Sequence, residues 1–405
     1  VVDSFGAETL RRIDLKKAQA ARLSTIRDIN RQIVLNYVRE REPISRAEIS
    51  RETALQRSTV STIVEELKAD GLIEEIGEGE STGGRRPTLL RLRTTGIFAI
   101  GVDITPTLTN VAACNLAGRV LERTEFPTDP CYELTIARVL EQVREINRKG
   151  KGSVEGVGVS LPGLVDPCKG RAVYIPWFKW RDVGVADEIF AATGLPVIID
   201  NDANAAALAE LWFGRPEVSE VRDFIMVFVG EGIGTGIVFD GQVYRGEYGA
   251  AGEFGHMVIG QDGPIACSCG NLDCWEAFSS GRAASARYLK YSGSHDDKIS
   301  LARVVDYALA GEESAQRALV ETAHYLGIGI SNLVVGLSPQ AVVVGGAITR
   351  AWDLVSDALN ETIARSIRRG LPSALITAST LGEYPTMMGA LSLVLATKFA
   401  SANAA

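Results

Sequence analysis

The run Glu253-Phe-Gly-His-Met-Val-Ile-Gly-Gln-Asp-Gly-Pro-Ile-Ala-Cys-Ser-Cys-Gly-Asn-Leu-Asp-Cys-Trp-Glu276 holds half of the chain's six cysteines and one of its three histidines. Three thiols and one imidazole, Cys267, Cys269, Cys274 and His256, make the ligand set of a closed tetrahedral zinc site. The alternative is a group of buried structural thiols, or one disulfide with a cysteine left over. Clustering with a histidine in a glycine-rich loop favours zinc. Glu253 and Glu276 bracket the ligands, so a metal here would hold two carboxylates in place. Four protein ligands leave no open coordination position, which makes the expected ion a scaffold for a binding site and not a Lewis acid.

Working outward, 405 residues are enough for two or three domains, and 46% hydrophobic content is that of a globular protein. No apolar run reads as long enough to span a bilayer, so no membrane partner is expected. The start, Val-Val-Asp-Ser-Phe-Gly, lacks a basic region followed by an apolar stretch, so no secretion signal is read. Thiols intended for a metal fit a reducing compartment, and the cytoplasm is the expected location. The net charge of −8 divides unevenly: residues 1–96 carry 17 Lys+Arg against 15 Asp+Glu, the remainder 25 against 35. A phosphate-binding face in the first part must therefore be local.

Ile26, Ile29, Ile33, Val34, Tyr37 and Val38 recur at helical spacing and predict an amphipathic helix that Pro43 ends. Ser45-Arg-Ala-Glu48 is a capping box for a second, short helix, with Ile44 and Ile49 placed as a hydrophobic staple. Ser58 is the expected N-cap of a third helix whose apolar face is Val60, Ile63, Val64 and Leu67. This is a helix-turn-helix. Arg57, Ser58, Thr59, Ser61 and Thr62 crowd the start of the third helix with groups suited to phosphates and base edges in a major groove. Two β-prone runs, 72–76 and 89–92, flank a glycine-rich tip that ends in Arg85 and Arg86, a wing suited to phosphate or minor-groove contact. The competing reading is a module for dimerisation or protein contact only. The basic segment before Ile26 reads equally as an extra DNA contact or a solvated face.

From Gly96 the pattern becomes apolar runs alternating with helical stretches: 97–104, 108–114, 120–126, 154–160, 197–200, 224–229, 236–239 and 341–345. That is an α/β protein with mixed sheets. Here the chain resembles a known family. Leu-Pro-Gly163, Asp200-Asn-Asp-Ala-Asn-Ala205, Gly230-Glu-Gly-Ile-Gly-Thr-Gly236, Glu253-Phe-Gly-His256 and the cysteine signature resemble the ROK family in order and spacing. The winged module resembles that of its repressor branch, which includes the N-acetylglucosamine and xylose repressors. The resemblance implies an actin-like, hexokinase-like fold of two α/β lobes with a sugar in the cleft. The domains expected are residues 1–92, a winged helix-turn-helix with a basic N-terminal helix, and 97–405. The second would comprise one lobe of 97–203 with a C-terminal helix at about 385–402, and another of 204–384.

Carried over residue by residue, Asn201, Asp202, Glu253, His256 and Glu276 are expected to bond sugar hydroxyls, with Gly163 lining the pocket. Carboxylates and an amide suit vicinal hydroxyls, and a buried polar site rejects ligands that lack them. In a kinase Asp202 would be the general base; a helix cap at the strand end is the plainer reading of Asn201 and Asp202. Trp177, Phe178 and Trp180 read equally as a stacking platform or as core. ROK kinases open with Asp-x-Gly-Gly-Thr, whereas this chain has Asp103-Ile-Thr-Pro-Thr107. Both glycines are absent, Ile104 is β-branched, and Pro106 has no N–H to offer an anion. The glycines at 230–236 remain, as does Gly345-Gly346, which looks like the family's adenosine-side motif, but glycine runs also make tight hairpins.

A sugar site kept while half of a phosphate cradle is lost favours sensing over catalysis. The leading expectation is a transcriptional regulator, most readily a repressor, that binds double-stranded operator DNA as a homodimer or tetramer and responds to a small sugar or sugar derivative. The alternatives are an ATP-dependent sugar kinase with a DNA-binding domain, or a regulator controlled by a protein partner with a vestigial pocket.

Overall fold

In the computed structural model, which describes residues 23–79, 86–150, 152–214, 218, 221–295, 299–367, 373–382 and 384–400, Ser45 closes the capping box that its spacing to Glu48 promises. Its N–H donates to Glu48 Oε2 at 2.9 Å and its Oγ accepts from the Glu48 N–H at 3.3 Å. These bonds satisfy orphan donors at the start of α2 (Arg46–Thr53), after α1 (Leu23–Arg41) and the two-residue strand β1 (Ile44–Ser45). Ala54, at φ 58, stops α2, and α3 (Arg57–Ala69) follows. The expected cap at Ser58 is corrected: Val60 N–H already bonds the Gln56 carbonyl at 3.0 Å, so the helix begins a turn-position earlier, with no side-chain cap.

Val34, Leu35, Val38, Ile49, Val60, Val64 and Leu67 are fully buried between these three helices. Ile26, Ile29 and Ile33, expected on the same apolar face, are instead exposed. The core takes only the C-terminal half of α1, and its N-terminal half is tied to α3 by ion pairs from Arg27 to Glu66 and from Arg31 to Asp70. The wing strands are β2 (Ile73–Glu78) and β3 (Thr88–Leu92), with β3 in the middle of the order β1-β3-β2. Arg85 lies outside the described residues, as does the basic segment before Leu23. This unit, Val1–Leu92, also takes the chain from Phe399, which the expected boundaries gave to the second domain. Phe399 is buried, and its carbonyl accepts from Asn36 Nδ2 at 2.8 Å.

The second unit, Arg93–Lys398, repeats one pattern twice. Strands β4 (Ile97–Ile104), β5 (Leu108–Asn115) and β6 (Val120–Pro127) form an antiparallel meander before α4 (Tyr132–Lys149). After β7 (Ser153–Leu161) comes a small sheet of β8 (Leu164–Asp166), β9 (Arg171–Ile175) and β10 (Trp180–Val183), then α5 (Val185–Thr193) and β11 (Val197–Asn201). Strands β7 and β11 run parallel to β4, giving the order β11-β7-β4-β5-β6. Past α6 (Asp202–Phe213), the strands β12 (Phe224–Val229), β13 (Ile233–Phe239) and β14 (Gln242–Tyr244) form a second meander. Strands β15 (Ala341–Gly345) and β16 (Leu375–Ala378) add in parallel, for β14-β13-β12-β15-β16. This is the two-lobed, actin-like α/β arrangement.

Two helices join the lobes. The helix α6 leaves the end of the first sheet and lies on the second, where Gly234 and Gly236 let β13 approach Ala203 and Ala207 without a Cβ between them. The last helix, Pro385–Phe399, lies on the first sheet against Gly101 and Gly158. The two helices meet where Gly389 touches the backbone of Ala205, and a Cβ added at Gly389 would overlap it.

Helix Glu313–Leu337 is long and apolar enough to cross a membrane by length and composition, contrary to the expectation of no such run. Its Leu319, Leu326, Ile330 and Leu333 are buried in the second lobe's core with Val342, Val344 and Leu359.

Candidate functional site

At the start of α3, Arg57, Ser58 and Thr62 are exposed, while Thr59 and Ser61 are half-buried. Thr62 Oγ1 donates to the Ser58 carbonyl at 3.1 Å, one turn back. Several of the acidic residues that dilute this unit's charge are paired. Arg46 and Lys68 hold Glu65 and Glu75, and Arg91 holds Glu74. Arg57 and the exposed Arg86 make no ion pair among the described residues, so positive charge survives at the tip of α3 and beside the wing. Backbone N–H groups at a helix N-terminus add to that field.

In the second unit a cavity of about 680 Å³ is lined by Gly163, Asn201, Asp202, Glu253, His256 and Glu276, bringing together all of the residues expected to meet a sugar. Asn201 does what the plainer reading proposed. It is the N-cap of α6, its Oδ1 accepting from the Ala203 and Asn204 N–H groups at 2.9 and 3.2 Å while Nδ2 donates to the Gly163 carbonyl at 3.0 Å. Gly163 sits at φ +82, where a side chain would meet the Tyr174 carbonyl. Burial pushes the Asp202 carboxyl up to about 7, with the nearby Asp103 carboxylate adding to the effect. Asp103, itself buried, is raised to about 6 by desolvation, against bonds from Ser160 Oγ and Thr386 Oγ1 at 2.9 Å each. Burial also raises Glu253.

The four expected metal ligands converge. One ligand atom from each of His256, Cys267, Cys269 and Cys274 lies within 4.8 Å of all the others, so the group can hold a metal ion. His256 Nδ1 is 3.2 Å from Cys267 Sγ, Cys269 and Cys274 sulfurs are 3.6 Å apart, and His256 Nε2 faces Glu253 at 3.5 Å. Glu276 is buried and wired to the same loop: Oε1 accepts from the Ser268 N–H at 2.7 Å, Oε2 from the Ile233 N–H at 3.3 Å.

On the phosphate side, the turn after Asp103 folds onto itself. The Thr105 N–H and Oγ1 both donate to the Leu108 carbonyl, at 2.9 and 2.8 Å, and Pro106 has no N–H. The glycines at 230–236 divide by role. Gly230 N–H bonds the Gly232 carbonyl at 3.1 Å in a hairpin turn, while Gly234 and Gly236 are strand residues needed for packing on α6. The hairpin alternative therefore describes this run better than a second phosphate loop.

A family model described as the ROK family matches residues 99–397. The chain belongs to the ROK family. A MarR family model matches residues 33–86, which include both helices of the helix-turn-helix and the first wing strand. The xylose repressor of Caldicellulosiruptor bescii is 32% identical over 390 residues, covering 91% of this chain and 96% of that protein. A solved ROK family transcriptional regulator, a homologue of the Escherichia coli MLC protein, aligns with a TM-score of 0.75 at 27% identity, over 93% of this chain and 97% of its own. A ROK family glucokinase from Streptomyces griseus, solved with glucose and AMPPNP, aligns with a TM-score of 0.65 at 31% identity, over 73% of this chain and 98% of its own.

Two arginines of this ROK chain carry no mark in the sequence. Arg245 reaches Asp200, which is 1% exposed, with Nε and Nη2 at 2.8 and 2.7 Å from Oδ2. Asp200 Oδ1 accepts from the Asn201 N–H at 2.8 Å, so the arginine anchors the turn that presents Asn201 and Asp202. Arg282 bonds the Glu231 and Ala266 carbonyls at 3.2 and 3.1 Å. Apart from the Val243 carbonyl, which Arg245 Nη1 bonds at 3.3 Å, their hydrogen-bond partners lie 16 to 51 residues away, so no spacing argument could have found them. The aromatic run splits: Phe178 and Trp180 are core, and Trp177 lines the cavity.

Proposed function

We propose that this protein is a DNA-binding transcriptional repressor of carbohydrate genes whose operator affinity responds to a sugar, or sugar derivative, bound in the cleft. The observation that carries this reading is the pairing of two features in one chain. A helix-turn-helix carries Arg57 and Arg86 without an ion pair among the described residues, and a polar cavity holds the expected hydroxyl-bonding residues beside a phosphate turn whose Thr105 donors are folded back on Leu108. The repressor relatives support it along nearly their whole length. Arg57, Ser58, Thr59, Ser61 and Thr62 would read or position the major groove, with Arg85 and Arg86 on the backbone or minor groove. Asp202, Glu253, His256 and Glu276 would bond the sugar, and Asn201 would fix the turn. Such a regulator works in the cytoplasm, as a dimer or tetramer matched to a two-fold operator.

The ion held by His256, Cys267, Cys269 and Cys274 would be zinc. A tetrahedron with arms of about 2.3 Å has edges of about 3.8 Å, close to the ligand spacing here, and three thiolates with one imidazole suit that metal. The Glu253 contact to His256 Nε2 supplies the outer carboxylate that such histidines favour. Zinc would act as a strut under Glu276 and Glu253.

The kinase reading draws on the glucokinase relative and on Asp202, whose raised carboxyl suits a general base. It needs a cradle for phosphates that Thr105 and Pro106 do not offer. The partner-protein reading needs a vestigial pocket, and the gathering of Asp202, Glu253, His256 and Glu276 at one cavity supports a working one. Reciprocity tests the proposal: operator DNA must change sugar affinity by the factor by which sugar changes operator affinity. Calorimetric sugar affinity that is unchanged by saturating operator would refute it, and steady ATP-dependent turnover would favour the kinase.

A further inference from the structure

Trp177 stands on the loop between β9 and β10 and lines the cavity, and a fixed cation stacks on it. The Arg282 guanidinium carbon is 4.6 Å from the indole centroid, and the arginine is itself pinned by the Glu231 and Ala266 carbonyls. Trp177 is among the residues that line the cavity and Arg282 is not, so at this point the indole forms the wall with the guanidinium stacked on it. Arg282 Nη2 is also 3.6 Å from Glu276 Oε1. Trp177 is therefore one guanidinium away from a carboxylate of the sugar-bonding set. Leu164, Tyr174 and Pro176 continue the same wall.

A sugar ring has a polar rim and two flatter, less polar faces. The rim of one ring suits the Asp202, Glu253 and His256 set, but an indole with no acceptor suits a ring face. Because Arg282 fixes the indole in advance, stacking on it costs little side-chain entropy. The cavity, about 680 Å³, lies in the range that encloses a drug-sized ligand, and it runs from the polar set to Trp177 on one side and to Ser300 and Gly346 on another. A nucleotide is not suited to the room beyond the polar set, since the Thr105 donors are folded back on Leu108.

We propose that the effector is a disaccharide, or a glycoside of similar size, with one ring held by the polar set and the second seated on Trp177. This rests on the sugar-sensing reading above.

Calorimetry on the full chain with its metal would compare D-xylose, D-glucose and N-acetyl-D-glucosamine, each with its β-1,4-linked disaccharide. At least one disaccharide should bind about tenfold or more tightly than its monosaccharide. Trp177→Ala should remove that advantage while leaving monosaccharide affinity within about twofold, and Trp177→Phe should restore most of it. Unchanged metal content and melting temperature would show the variants folded. Monosaccharides that bind as tightly as every disaccharide would overturn the second-ring site alone. Equal loss of both by Trp177→Ala would do the same, making Trp177 a general wall. No binding by any of the six would count against the sugar reading and this inference together.

Discussion

Replacing Arg245 with methionine removes the partner of a carboxylate that has 1% of its surface in contact with solvent. The wild-type pair is close, with guanidinium nitrogens 2.8 and 2.7 Å from one Asp200 oxygen, and methionine keeps the stem while deleting the charge. Breaking a buried ion pair from one side costs about 3–5 kcal/mol, chiefly because the remaining charge is left uncompensated. The Arg245 side chain is 33% exposed, so water can partly replace it, and the low end of about 3 kcal/mol applies here. At about 2–4 °C per kcal/mol for a domain of this size, the melting temperature should fall by roughly 6–12 °C. Scanning calorimetry reads that directly. The decisive comparison is the double variant Arg245→Met with Asp200→Asn, in which no charge is stranded. It should recover most of the loss, as a coupled pair does in a double-mutant cycle. A double variant no more stable than Arg245→Met alone would refute the argument, because the deficit would then lie in lost packing and not in a stranded charge.

Cys269→Ser should reduce bound zinc from close to one per chain to well below it, and should weaken sugar binding because Glu276 hangs from the same loop; metal analysis and calorimetry check both. Arg86→Ala should weaken binding to all DNA sequences and reduce the slope of log affinity against log salt by about one, whereas a bulky residue at Ser61 or Thr62 should damage operator binding most. Desolvation holds Asp202 at about 7 and Asp103 at about 6, so between the ordinary carboxylate range and these values the folded chain retains protons that the unfolded chain has released. That contribution to stability is complete below the ordinary carboxylate range and is lost progressively as pH rises from there through the raised values of about 6 and about 7. Asp202→Asn should therefore raise the melting temperature at pH 8 and much less at pH 5, and an equal shift at both would show that Asp202 is not held protonated by burial.

The large sheets were legible because β4, β12 and β15 are buried on both faces and so read as unbroken apolar runs. Their limits at 97–104, 224–229 and 341–345 match the expectation to the residue. The small sheet β8–β10 was not legible, since strands of three to five residues leave too few positions for alternation to register. The ligand cluster was readable because chelation needs particular residue types close in sequence. Glycine stayed ambiguous, because a glycine that admits a helix and one that admits a phosphate look alike until the neighbour is seen. Gly234 and Gly236 face Ala203 and Ala207, and nothing in residues 230–236 announces that. Ionic anchors such as Arg245–Asp200 join positions 45 residues apart, where only the folded chain supplies the distance.

The crossing of Gly389 over Ala205 sets how the two lobes can move. Where two helices interlock through large side chains, turning one against the other means lifting ridges out of grooves. At this crossing main chain rests on main chain, and the permitted motion is a roll about a near-stationary point. In such a roll displacement would grow with distance from that point, so the cleft rim would swing furthest while the crossing itself hardly shifted. A methyl group at position 389 would wedge this axle, and the lobes would lose their freedom to turn even though every group that touches the ligand remained in place.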